Sequence, residues 1–427
     1  MLERVFRLTD NGSSPRVEIL AGLATFWSMA YIIFANPLIL AAAGVPFTGA
    51  VVATCLASAL ATAAMGLATN RPLALAPAMG INAFLAFGVI LALALPWQAG
   101  MGLVLIHGLL LALLARTGHA RTIAGAVPVH LRRGVAAGIG LLIVLVGLQQ
   151  AGLVIPDPTT LVTFGTLRDP RVFVATAGIL FTAVLLARRV RGAILAGVLA
   201  TAVLSVLVGV QDLPRPVARF PGPETVATFG GVSLGGLLGL GAGVVIATLV
   251  LADLFDTVGT VEALESQGAF RGSPPWERIL MIDGLASALG GLLGVSALTT
   301  YAESQAGVAA GGRTGLTAVV VASLFLLAVF FTPFVGLIPG AAVAPALVVV
   351  GYLMAGGLRE IPFGSSDEAF PAFLTAVAIP LTFSVARGLG YGFLAHAVMK
   401  LSGGKRGEVH PLVYGLAALF LLSFLIG

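Results

Sequence analysis

Charged side chains are scarce in this chain, and their scarcity excludes an ordinary soluble domain. Only 10% of the 427 residues are Asp, Glu, Lys or Arg, whereas a soluble domain carries roughly 25%. The net charge of +5 does not indicate nucleic-acid binding, because arginines in the cytoplasmic loops of a membrane protein explain it better. Cysteine is almost missing as well: Cys55 stands alone, which excludes a disulfide within the chain.

Hydrophobic residues, by contrast, make up 58% of the sequence. Apolar stretches of about 20 residues recur from one end to the other, which is typical of membrane-spanning helices. The 55 glycines favour close approach between such helices in lipid. The composition therefore predicts an all-α polytopic membrane protein embedded in a lipid bilayer.

The apolar stretches divide into two sets of seven around a polar connector at 211–230. The first set lies at 17–35, 49–69, 73–90, 97–115, 131–150, 171–188 and 192–209. The second set lies at 232–257, 277–294, 298–312, 313–333, 341–356, 369–386 and 387–402. We therefore expect 14 spans and one extra C-terminal apolar helix at 411–426.

The distribution of basic residues supports this count. With a cytoplasmic N-terminus and alternating sides, five of the 23 Lys and Arg residues fall outside, which leaves 18 on the cytoplasmic side. The five are Arg168, Arg171, Arg215, Arg219 and Arg387. Such a bias is the positive-inside pattern, so we expect a multi-pass protein of the cytoplasmic (inner) membrane.

An odd number of spans in each half means that the second half enters the membrane upside down. The motif "LASAL" occurs at Leu56–Leu60 in span 2 and at Leu285–Leu289 in span 9. An extended piece and a helix start follow each copy, as "RPLALAPAMGINA" and as "SALTTYAESQAGVAAGG". Inverted repeats with interrupted spans at matching positions indicate a transporter with a binding site near the membrane midplane.

Spans 3 and 10 are the interrupted ones. Pro77 removes a backbone donor at the start of span 3, and "ALTTY" is rich in β-forming residues. We expect short strands at about 73–77 and 298–302, each followed by a half-helix. Non-helical backbone at this depth is tolerated only where protein buries it or it lines a cavity, and half-helix N-termini attract acceptors.

Acidic residues within the spans are candidates for function, because such residues are rare in membranes and usually face the protein interior. Asp253 and Asp256 share a helix face at i, i+3, and Glu303 opens the half-helix of span 10. Structural roles remain as alternatives: a backbone bond for Asp253, a helix end for Asp256 and an N-terminal cap for Glu303. Asp283 in span 9 is expected to pair with an arginine or a hydroxyl.

Five stretches resemble the azaguanine-like (AzgA-like) purine permeases of the nucleobase–cation symporter family. They are "TFWSMAYIIFANP", "LALAPAMGINAF", "DLFDTVGT", "TTYAESQAGVAAGGRTGLTAVVVA" and "FPAFLTAVAIPLTFSVARG". The similarity runs from about Asn11 to His410. It implies proton-coupled uptake of adenine, guanine or hypoxanthine by alternating access, and a transporter that is not an enzyme.

The resemblance also implies how the spans are grouped into two domains. A core domain would comprise 17–115 (spans 1–4) and 232–333 (spans 8–11). A gate domain would comprise 131–209 (spans 5–7) and 341–402 (spans 12–14), and two copies of the chain would associate through it as a homodimer.

Residue by residue, Asp256 and Glu303 match the family's substrate-binding acids, and Asn82 matches its polar residue on span 3. Further candidate substrate contacts are Thr25, Phe26, Thr260, Tyr301 and Ala302. Asp253 and Glu303 are the candidates for proton coupling, since two acids in a dry cavity resist ionising together. The wider superfamily often has a glutamate on span 8, so which of Asp253 and Asp256 holds the substrate stays open.

Three other functions compete with purine symport. An anion transporter of the same fold would need a fixed cation at the half-helix junction, where acids stand instead. An intramembrane aspartyl protease needs aspartates on two neighbouring helices, whereas Asp253 and Asp256 share one. A channel would not concentrate its solute. No cofactor or metal is expected, because the histidines show no ligand spacing; they are His107, His119, His130, His396 and His410.

Overall fold

The computed structural model describes residues 2–190, 192–211, 222–235, 240–270, 272–335 and 340–426. Helices of the first half are α1 (Leu2–Phe6), α2 (Pro15–Met29), α3 (Ile32–Ala42), α4 (Phe47–Thr69), α5 (Met79–Ala83), α6 (Trp97–Arg116), α7 (His119–Ala126), α8 (Val129–Gln150), α9 (Pro170–Ala187) and α10 (Ala193–Leu207). Those of the second half are α11 (Leu240–Ser266), α12 (Trp276–Leu293), α13 (Ser304–Ala309), α14 (Gly315–Ala328), α15 (Thr332–Val335), α16 (Gly340–Ala355), α17 (Ser366–Thr382), α18 (Val385–Ser402) and α19 (Pro411–Ile426). Four short strands are β1 (Leu75–Pro77), β2 (Val154–Asp157), β3 (Leu161–Phe164) and β4 (Leu298–Thr300).

Among the described residues, seven helices are long and apolar enough to cross a membrane. They are Pro15–Ala42, Phe47–Thr69, Trp97–Arg116, Val129–Gln150, Pro170–Ala187, Gly241–Ser266 and Gly340–Glu360. Shorter apolar helices include Met79–Leu91, Ala193–Leu207 and Gly315–Phe331. A multi-pass membrane protein is thereby confirmed, while the count of 14 spans stays a prediction.

Helix packing in one half repeats that in the other. The pair α4–α14 corresponds to α12–α6, and the pair α2–α14 corresponds to α11–α6. Likewise α9 packs on α16 as α17 packs on α8, while α8 and α16 pack on each other at the centre. Exchanging the halves thus leaves the pattern unchanged, as a pseudo-two-fold axis requires, and the inverted-repeat fold class is confirmed.

The expected strands in spans 3 and 10 are present and pair with each other. β1 and β4 are antiparallel, with Ala76 opposite Thr299 at the centre. The ladder continues beyond both strands, since Tyr301 N donates to Ala74 O at 2.9 Å and Ala78 N donates to Ala297 O at 2.9 Å. Backbone groups at membrane depth are thereby satisfied within the protein. The half-helices α5 and α13 then start on opposite sides of the crossing.

Two span boundaries differ from those expected. Span 8, expected at 232–257, is the helix α11 at Leu240–Ser266, and residues 232–235 are not helical. Helix-compatible residues continue past "DTVGT", so Asp256 lies inside α11 and the alternative of a helix end for Asp256 lacks support. Span 1 is divided into α2 and α3, and Pro37 is inside α3.

Span 3 also departs from regular α-helix, since the five residues of α5 are followed by a π-helix at Phe84–Leu91. A π-turn shifts the phase of the helix and is frequently found at functional sites. Beyond the expected elements, β2 and β3 form a hairpin between α8 and α9. The helix expected at 411–426 is α19.

Glycine allows α6 and α12 to approach each other closely. A Cβ atom built at Gly284 would lie 2.5 Å from the backbone nitrogen of Ala112, and one at Gly108 would lie 2.3 Å from that of Ala288. Gly284→Ala is therefore expected to force the helices apart and to destabilise the fold by about 1–3 kcal/mol. Thermal unfolding in detergent, followed by loss of the monodisperse species, measures the change.

Gly125→Ala is the matched control for that substitution. Gly125 lies in α7 with nothing within 4 Å of the added methyl group, so this change is expected to be neutral or slightly stabilising. Equal unfolding temperatures for the Gly284 and Gly125 variants would contradict the packing argument.

Candidate substrate site

A cavity of about 560 Å³ lies where β1 and β4 meet. Its walls come from Ser28 and Tyr31 near the break between α2 and α3, from the start of α5, and from the segment between β4 and α13. Leu186 of α9, Ile194 of α10 and Val350 of α16 close the other side. The volume falls in the range of about 300–1,000 Å³ that small-molecule sites occupy.

Two carboxylates face this cavity, Asp256 of α11 and Glu303 just before α13. Tyr31 donates its hydroxyl proton to Glu303 Oε1 at 2.6 Å, while Asp256 lies beside Thr299 of β4. The Glu303 carboxylate makes no capping bond to α13, so the alternative of a simple helix cap lacks support. Both acids are half-buried and remain accessible to a small solute.

Tyr301 and Ala302 also line the cavity, as expected from their position beside Glu303. The Tyr301 hydroxyl donates to the carbonyl oxygen of Pro77 at 2.6 Å. That bond fixes the phenol ring across the β1–β4 crossing and leaves the ring, rather than the hydroxyl, for contact with a ligand. Ala302 is exposed to the cavity.

Asp253 occupies a different environment from Asp256. Its side chain is completely buried and does not line the cavity. Its Oδ2 atom lies 2.9 Å from His107 Nε2 of α6 and accepts a bond from Ser287 Oγ of α12 at 2.9 Å. One turn of α11 therefore presents one acid to the cavity and withdraws the other into the helix packing.

Asn82 lies away from the cavity, in a network of buried polar side chains. It donates to Asn36 Oδ1 and accepts from Ser296 Oγ, and Asn36 donates to Thr54 Oγ1 at 2.8 Å. This network ties α5 to α3 and to the turn before β4. The expected contact of Asn82 with the substrate finds no support in its position.

Three further candidates also lie outside the cavity lining. Thr25 is buried against the backbone of α13 at Gly307. Phe26 packs edge-on against Phe325, with ring centroids 5.2 Å apart, and lines a separate apolar cavity of about 280 Å³. Thr260 is buried on α11 beyond Asp256.

Sequence reasoning missed two residues that contact the acids directly. Tyr31 is 272 positions from Glu303, and His107 is 146 positions from Asp253. The sequence signal for each was a polar side chain inside an apolar stretch. None of the described residues that line the cavity is Lys, Arg or His, so the described part of the lining offers acceptors and aromatic surface and no fixed positive charge.

The inverted-repeat fold and a ligand-sized cavity at its strand crossing define a membrane transport protein. Residues 16–390 match the Permease family, Xan_ur_permease. The chain belongs to this family, as its sequence indicated, and is a transporter rather than an enzyme.

Relatives in this family cover nearly the whole chain. The adenine permease AdeP of Escherichia coli strain K12 is 40% identical, over 99% of this chain and 96% of AdeP. The guanine/hypoxanthine permease PbuO of Bacillus subtilis strain 168 is 39% identical, over 99% of this chain and 100% of PbuO.

A solved structure shares the fold. The transmembrane domain of the cyanobacterial bicarbonate transporter BicA has a TM-score of 0.68 at 15% identity, covering 87% of this chain and 96% of that domain. At this level of identity the likeness concerns the fold alone.

Proposed function

We propose that this permease takes up purine nucleobases, namely adenine, guanine or hypoxanthine, together with protons across the cytoplasmic membrane. Full-length similarity to an adenine permease and to a guanine/hypoxanthine permease supports the substrate class. The observation that carries the proposal is the pairing of Asp256 and Glu303 in one cavity with the Tyr301 ring between the two strands.

A purine suits this site because it is planar and has ring N–H donors along one edge. Asp256 and Glu303 accept those donors, and bonds to a charged acceptor are about twice as strong as neutral ones. The ring faces of Tyr301 and Tyr31 provide stacking surface, and Ala302 provides backbone groups beside the base. The other expected contacts, Asn82, Thr25, Phe26 and Thr260, lie outside the described lining of this cavity and stay predictions.

Anion transport on the same fold is the competing function, since BicA is a bicarbonate transporter. An anion in a low-dielectric cavity needs positive charge nearby. The described lining has two carboxylates and no basic residue, which favours a neutral solute with donors over an anion.

Alternating access follows from the position of the cavity between two helix groups. Asp256 and Glu303 belong to the proposed core (17–115 and 232–333), while Ile194 and Val350 belong to the proposed gate (131–209 and 341–402). Rocking of one group against the other would expose the acids to each side in turn. We propose 14 spans, a cytoplasmic N-terminus and a homodimer formed through the gate.

The proposed orientation assigns one side of the cavity to the cytoplasm. The cavity extends to Leu186 and Val190, which flank the α9–α10 turn with its Arg188 and Arg189. Basic residues favour the cytoplasmic side, so the side of the cavity formed by Leu186 and Val190 would lie toward the cytoplasm.

Uptake of radiolabelled adenine, guanine, hypoxanthine and uracil by cells that express the chain tests this function. At least one purine is expected to accumulate, uracil is not, and the rate of uptake is expected to fall as the external pH rises because fewer protons are available. A protonophore should abolish accumulation, which separates a symporter from a channel. Accumulation that survives the protonophore and requires sodium would contradict proton coupling.

A further inference from the structure

A second polar site lies behind the cavity, at the contact between α11, α6 and α12. Its members are Asp253 of α11, His107 of α6, and Asp283 and Ser287 of α12. All four side chains are completely buried, and none lines the cavity. Thr257, one turn beyond Asp253, borders the same site beside Asp283.

Hydrogen bonding fixes the number of protons on the His107–Asp253 pair. His107 Nδ1 lies 3.2 Å from the carbonyl oxygen of Val104, which only accepts, so Nδ1 carries a proton. The 2.9 Å contact between Nε2 and Asp253 Oδ2 then needs a second proton, on either the ring or the carboxyl group. If neither group carried this proton, two acceptor atoms, Nε2 and Oδ2, would face each other in a fully buried contact. The pair therefore holds one proton between the ring and the carboxyl group.

Asp283 adds a carboxyl group whose two oxygens make no hydrogen bond of good geometry in the described chain, although the side chains of Thr257 and Asp253 lie within reach of it. Asp253 Oδ1 is unpartnered as well, and Asp283 lies beside it. An ionised carboxylate buried without a partner is strongly disfavoured. A small cation held between the two aspartates would satisfy these buried oxygens.

The geometry points to a proton-binding site formed by His107, Asp253 and Asp283, separate from the acids that bind the substrate, as the site of proton coupling. This inference rests on the proposed symport function, and it assigns the proton that is transported with the purine to these three side chains. The described residues contain no group of three or more His, Cys, Asp or Glu side chains able to hold a metal ion. A proton bridging Asp253 Oδ1 and Asp283 satisfies the free oxygens without further ligands.

The charges around the site explain how the proton and the substrate would be linked. Besides His107 and Asp253, the titratable group facing Asp283 in the described chain is Asp256, one turn along α11. The hydroxyl of Thr257 reaches β4 through Thr299, with 2.8 Å between the two oxygens. A proton that enters from outside and binds between Asp253 and Asp283 reduces the negative charge near Asp256. After the core domain moves, this proton is released to the cytoplasm. Because Asp253 lies one helical turn from Asp256, loss of this proton changes the charge next to the carboxylate that binds the substrate.

The test uses the full chain in proteoliposomes, with His107→Gln and Asp283→Asn beside the parent. Three quantities are measured: purine-for-purine exchange at equal pH, purine accumulation driven by a pH gradient, and purine-dependent proton entry reported by a trapped pH dye. Both variants are expected to keep exchange and to lose gradient-driven accumulation and proton entry. Accumulation and proton entry at parental levels in both variants would overturn the proposal.

Glu18→Gln is the matched control, because Glu18 is another completely buried acid outside this site. Its two oxygens accept bonds from the backbone nitrogens of Arg313, Thr314 and Thr317 and from Thr317 Oγ1 at the start of α14, and glutamine retains one of these two oxygens. This variant is expected to keep coupled accumulation. Loss of coupling in Glu18→Gln equal to that in Asp283→Asn would show a general effect of buried acids and overturn the assignment.

Ser287→Ala keeps the test decisive if the other variants do not fold. It removes a hydroxyl that lies 2.9 Å from Asp253 Oδ2 and that also bonds the backbone of Leu298 in β4, and it retains the imidazole and both carboxyl groups. The pH profile of accumulation is expected to shift while exchange remains, and an unchanged profile would overturn the inference. If the parent itself neither binds nor exchanges a purine, it is the proposed function that fails.

Discussion

Asp256→Asn is expected to weaken purine binding by about 10- to 100-fold. Asparagine keeps the size of the side chain and one acceptor but loses the charge and adds a donor toward the ligand. Losing a good partner in a buried site costs about 1–3 kcal/mol, and each 1.4 kcal/mol corresponds to about tenfold in affinity. Calorimetric titration of the purified protein with the purine that it accumulates measures the change.

Asp253→Asn is the natural comparison, because Asp253 lies three residues earlier on the same helix and is withdrawn from the cavity. It is expected to spare purine binding and to impair accumulation driven by a pH gradient. If Asp253→Asn loses binding while Asp256→Asn binds like the parent, the roles of the two aspartates are reversed. If neither variant changes binding or uptake, the substrate site lies elsewhere.

Glu303→Gln is expected to have an effect of similar size, about 10- to 100-fold on purine affinity, for the same loss of a charged acceptor. It also alters the partner of the Tyr31 hydroxyl, which lies 2.6 Å from Glu303 Oε1. Tyr31→Phe alone should cost less, since Glu303 keeps its charge.

A double-mutant cycle of Tyr31→Phe and Glu303→Gln measures how strongly the contact between the two side chains contributes to purine binding. The two losses are expected to be less than additive, as for residues that touch each other. Purine titration of the four proteins provides the numbers. Strictly additive losses would mean that Tyr31 does not hold Glu303 in its binding position.

The strands at the centre of the fold were predictable because their signals are local. Pro77 and the β-branched "TT" of "ALTTY" disfavour helix where the apolar spans are too short to cross. The length of α11 was less predictable, since nothing in "DTVGT" forces a helix to end and Gly259 is tolerated within it. Helix boundaries in uniformly apolar sequence have few local markers.

The candidate site was predictable in its acids and less so in their surroundings. Asp256 and Glu303 stand out as charges inside spans, and both line the cavity. Tyr31 contacts Glu303, and His107 contacts Asp253, from positions distant in sequence. Such contacts depend on how each helix is rotated about its own axis, which the hydrophobic periodicity alone does not specify. The same rotation directs Asn82 toward Asn36 and Ser296, away from the cavity.

The most direct measurement is a cryo-electron microscopy structure of the chain with the purine that it accumulates. Density for the base is expected at the β1–β4 crossing, in contact with the Tyr301 ring. The ring N–H groups of the base are expected within hydrogen-bonding distance of the Asp256 and Glu303 carboxylates. Density for the base at any other place in the chain, with Asp256 and Glu303 facing only water, would contradict the proposed substrate site.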